Sequence, residues 1–77
     1  SMDIHEFVKL FAEQFDETDI QEFSPKTVFK DLEEWSSLLA LSIIAMVDEE
    51  FDVTLKGDDI RSAQTIEDLY KLINSKR

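Results

Sequence analysis

The chain has no cysteine. Disulfides, thiolate metal sites and a nucleophilic thiol are therefore excluded. Glycine, proline and histidine occur once each. So few breakers in 77 residues argue against a turn-rich β fold and favour helices. The lone histidine, His5, has polar neighbours and no second histidine to pair with. It reads as a surface residue, because a catalytic base needs an orienting partner. No apolar run reaches 18 residues, so no membrane span is expected. A signal peptide is not expected either, since no basic region precedes an apolar one at the N-terminus.

Positive charge is also scarce. Eight Lys and Arg stand against 18 Asp and Glu, for a net charge of −10. Nucleic acid and anionic membrane surfaces are poor partners for such a chain. Basic patches on other proteins are good ones. A cytoplasmic, monomeric protein is expected. No glycine-rich phosphate loop or metal-ligand cluster is visible. Asp52-x-Thr54-x-Lys56-Gly57 is faintly like a calcium loop, but the twelfth position is Ala63 rather than Glu, and the reading fails. An enzyme is not expected.

What is present is a fair apolar supply, including six Phe, one Trp and one Tyr. Residues 1–77 read as one domain, with Ser1 ahead of Met2 as a tag remnant. Ile4, Phe7, Val8, Phe11 and Phe15 recur at helical spacing and predict a first helix over about 3–15. Residues 16–36 break the pattern and form a long connection, with a helical turn expected after Ser24-Pro25. SLLALSIIAMVDEEF, 37–51, predicts the longest helix. Gly57 is expected to mark a turn with positive φ, and Asp58-Asp59-Ile60 to open a short helix. The last helix is expected over about 66–74, with Thr65 and Asp68 as a capping box. The sum is an all-α small four-helix bundle: three main helices plus a short third, with a long loop between the first and second.

The second helix has two unlike faces. Leu39, Ile43, Met46 and Val47 share one side, with Ala40, Ile44 and Phe51 beside them. Leu38, Leu41, Ser42, Ala45, Asp48, Glu49 and Asp52 share the other. Acids at a helix C-terminus oppose the dipole. Two readings stand open here. Either the bundle wraps around and buries Leu38 and Leu41, or this face is a partner surface with an apolar centre and an acidic rim.

Ser36 and Ser37 head that helix. A serine there is ordinarily a cap worth about 1 kcal/mol. The same place suits an attached phosphate, because free N–H groups and the positive dipole end stabilise an anion. Ser36 as cap and Ser37 as attachment point divides the two jobs.

Ser37-Leu38 followed at helix length by Asp48-Glu49-Glu50-Phe51-Asp52 resembles the acyl carrier protein family, in which D-S-L opens the second helix and E-E-x-F closes it. Phe29 and Leu32 are similar to the F-x-x-L ahead of that motif, and the likeness covers essentially the whole chain. It implies a carrier domain with 4′-phosphopantetheine on Ser37, loaded by a phosphopantetheinyl transferase and carrying acyl groups as thioesters. Leu38, Leu41, Ala45, Asp48 and Glu49 match positions where that family meets acyl-loading and acyl-processing enzymes through their basic docking patches. Fatty-acid, polyketide or related biosynthesis is implied. Two departures stand out. Ser36 replaces the usual Asp, with Glu33 and Glu34 close enough in sequence to stand in for it. The loop before the motif is also one residue longer than in fatty-acid carriers, and it carries Trp35. A non-catalytic helical adaptor that is never modified is the alternative.

Overall fold

The computed structural model describes residues 2–77. Ser1, read above as a tag remnant, lies outside the described residues. The elements are α1 (Ile4–Ala12), α2 (Ser37–Phe51), α3 (Gly57–Ser62) and α4 (Ile66–Lys76). Single 3₁₀ turns sit at Ile20–Glu22 and Phe29–Asp31. Three main helices, a short third and a long first loop match the architecture expected from periodicity. α1 packs against α2 and α4, and α3 packs against α4.

The first helix stops earlier than its apolar pattern. It ends at Ala12, where Gln14 Nε2 donates back to the Leu10 carbonyl at 3.2 Å. Side-chain donors on terminal carbonyls compete with helix propagation. Phe15 leaves the helix yet stays buried. The expected helical turn after Ser24-Pro25 is instead a tight turn closed by Thr27 N to Ser24 O at 3.1 Å. Thr27 Oγ1 accepts from Ser24 N and donates to the Glu22 carbonyl. These local bonds use the groups a helix would need.

The long loop is stitched down. Glu67 N donates to Pro25 O at 2.9 Å and Ile66 N to Thr27 O at 3.1 Å. The loop thus satisfies N–H groups that the start of α4 leaves without helical partners. Thr65 and Asp68 form the expected capping box, with reciprocal bonds of 3.0 Å. An isolated bridge, Val28 to Thr65, lies alongside. Lys30 Nζ reaches the carbonyls of Ile60 and Arg61 at 3.2 and 2.9 Å, closing the far end of α3.

Gly57 corrects the sequence reading. Its φ is not positive; among the described residues the one with positive φ is Asp52, at φ 57 and ψ 39. Asp52 ends α2 in the left-handed conformation, which a short polar side chain tolerates. Gly57 is the first residue of α3. There a Cβ would sit 3.2 Å from the Arg61 guanidinium, so the glycine provides clearance rather than a turn.

Aromatic rings dominate the core. Phe7, Phe11 and Phe29 are fully buried. Phe11 has ring neighbours in Phe7, Phe15, Phe23 and Phe29, at centroid distances from 5.4 to 6.4 Å. Phe29 in turn meets Trp35 edge-on at 5.0 Å. This chain of rings runs from α1 through the loop to the residue before the two serines.

Candidate functional site

Ser36 is extended, at φ −159 and ψ 172. Its Oγ accepts from Leu39 N at 3.3 Å, and its carbonyl accepts from Ala40 N at 3.0 Å. It is the helix cap. Ser37 is the first residue of α2 and is exposed. Its hydroxyl is left over from the capping, at the positive end of a 15-residue helix whose first turn carries no acid.

Glu34, one of the two acids near the missing Asp, turns its carboxylate to the start of the long loop. Its carboxylate accepts from Asp16 N at 2.9 Å, Glu17 N at 3.1 Å and Thr18 Oγ1 at 2.6 Å. It clasps the start of the long loop to the segment just before α2. Glu33 is exposed, over a hollow shared with Glu17 and Glu22. No sequence signal pointed to this clasp, because one acid among 18 carries no information on its bonds until its partners are located.

The clasp is pH-sensitive. The Thr18 hydroxyl and then the amides of Asp16 and Glu17 hold the Glu34 carboxyl below its ordinary range. A folded-state pKa below the unfolded one stabilises above the unfolded value. That stabilisation is lost as pH falls through the folded value. Acidification should therefore lower the amide protection factors at Asp16 and Glu17, taken against the intrinsic exchange rate at each pH, before the core opens. Glu34→Gln should do the same at neutral pH. Unchanged protection of both amides in that variant would show that the clasp does not hold the loop.

On α2 the core side is as the wheel placed it: Leu39, Ile43, Met46, Val47 and Phe51 are buried. The other face is not covered. Leu38 is 73% exposed and Leu41 is 62% exposed, which decides against burial by the bundle. Ala45, Asp48 and Glu49 are exposed as well. All five share one stripe running from Ser37 toward the acidic C-terminal end of α2. Nothing in α3 or α4 folds over it.

A groove of about 570 Å³ opens beside the stripe. Trp35, Ala40, Leu41, Ile44 and Ile60 supply its apolar walls, and Ser36 and Ser37 lie at its edge. The helix wheel did not find it, because the groove needs α3 set against α2.

A family model described as the phosphopantetheine attachment site matches residues 5–73. The chain belongs to that family. Its members are carrier domains: they hold 4′-phosphopantetheine covalently on a serine and are not themselves enzymes. No curated protein and no solved structure matches the chain. A carrier domain meets a transferase and processing enzymes, and so needs an accessible serine on a firm scaffold. Here the capped start of α2 fits the group, since one hydroxyl completes the helix and the next is free to bear a phosphodiester. When bound, the arm supplies a thiol to a chain that has none. Among the described residues, no helix is long and apolar enough to cross a membrane.

Proposed function

We propose that this carrier domain bears acyl intermediates as thioesters on a 4′-phosphopantetheine arm at Ser37, serving fatty-acid, polyketide or related biosynthesis. The observation that carries the assignment is the division between the serines: Ser36 Oγ caps α2, and Ser37 stands exposed beside it. The exposed stripe of Leu38, Leu41, Ala45, Asp48 and Glu49 is the docking face, with an apolar centre for contact and acids for steering. Incubation with coenzyme A and a broad-specificity transferase should add one phosphopantetheine by intact mass. No gain with several transferases would instead favour an unmodified helical adaptor, the reading that Ser36 in place of an acid supports.

The docking face makes a separate prediction. Asp48→Lys with Glu49→Lys should lower kcat/KM with a partner enzyme by about tenfold at low salt, because rim charges act mainly on the encounter rate. The fold should hold, since both positions are exposed and cations suit a helix C-terminus. Equal rates for variant and wild type at low salt would remove the acids from the docking face.

A further inference from the structure

The groove between α2 and α3 differs in charge from the rest of the molecule. Acids outnumber bases 18 to 8 over the chain. Yet Lys30 and Arg61 line this groove and no carboxylate does. The lining otherwise consists of the apolar walls, the two serines and Gly57. Ser37 itself is at the edge, so a group tethered there meets the groove at high effective concentration.

Both cations are placed to accept an anion. Lys30 Nζ donates to two carbonyls at the end of α3, which holds the ammonium at the groove and leaves one proton free. Arg61 pairs with Asp58 one turn away in α3, and both side chains are largely exposed. Such a pair is weak and exchanges its carboxylate readily. Gly57 leaves the guanidinium room to lie against the first turn of α3.

We propose that Lys30 and Arg61 select the cargo: the groove takes an acyl chain with an apolar middle and a carboxylate at its far end. This rests on Ser37 being the attachment site. The apolar walls suit the methylenes, and the cationic rim suits the end group. A plain alkyl chain would offer nothing to the free Lys30 proton or to the exposed Arg61 guanidinium.

The test loads the protein from three coenzyme A thioesters: glutaryl, its neutral primary-amide analogue and hexanoyl. In each case the Ser37 oxygen takes the acyl-phosphopantetheine and adenosine 3′,5′-bisphosphate leaves. Intact mass confirms loading, and its failure overturns the attachment reading itself. The rate of thioester cleavage by hydroxylamine then reports shelter in the groove. Glutaryl should be cleaved about fivefold more slowly than the other two, the scale of one exposed charge pair. Arg61→Gln should erase that difference, and Asp58→Asn, which frees Arg61, should enlarge it. Equal rates for all three arms, or greatest protection of hexanoyl, would overturn the proposal while leaving attachment intact. So would a change in Trp35 emission on Arg61→Gln that is as large with the free-thiol arm, since the cations would then serve the phosphodiester.

Discussion

Ser37→Ala is expected to abolish the phosphopantetheine mass gain completely while leaving the helix content and melting temperature close to wild type. The hydroxyl at 37 takes no part in the cap, and alanine is a good helix former in the first turn. Ser36→Ala should behave in the opposite way. The mass gain should persist, but Leu39 N loses its acceptor. Loss of a serine cap costs about 1 kcal/mol, which for a domain of this size is roughly 4–8 °C in melting temperature. On that outcome one serine governs chemistry and its neighbour governs stability. Gain surviving in Ser37→Ala but lost in Ser36→Ala would reverse the assignment.

Phe11→Ala is expected to remove most of the stability. Phe11 is fully buried and has ring neighbours from α1, from the long loop and from the turn before α2. Truncating such a ring costs about 3–5 kcal/mol. A domain of this length has roughly 4–12 kcal/mol in total. The urea midpoint should fall far or vanish, and the start of α2 should lose its anchor through Phe29 and Trp35. Leu41→Ala is the contrast: on an exposed position the change should stay within about 0.5 kcal/mol. A loss under about 1 kcal/mol in Phe11→Ala would mean that the core closes around the gap and the ring chain does not hold the loop.

Much of this was legible along the chain. Periodicity set the span of α2, the capping box at Thr65 and Asp68, and the buried side of each main helix. Adjacent serines before a long apolar run marked the candidate site. The misses share a cause. Helix spacing carried α1 on to Phe15, but the chain turned at Ala12 because Gln14 and the Glu34 clasp drew it away. Glycine permits a left-handed turn and so Gly57 suggests one, whereas Asp52 holds that conformation at the end of α2. A residue's allowed backbone region is local information. Which residue must use it depends on where the next helix has to go.

The sequence by itself determined the class of the protein. Its helical spacing and lack of breakers define a small acidic helical domain, and the serine-to-Phe51 distance carries its resemblance to a carrier family. Only the tertiary structure decided which serine is free, whether Leu38 and Leu41 are covered, and what the acids near the site do. Those questions concern contacts between segments far apart in sequence: Glu34 with residues 16–18, Lys30 with the end of α3, and α3 set against α2. Hydrophobic period fixes which face of a helix turns inward. It says nothing about which neighbour, if any, covers the other face.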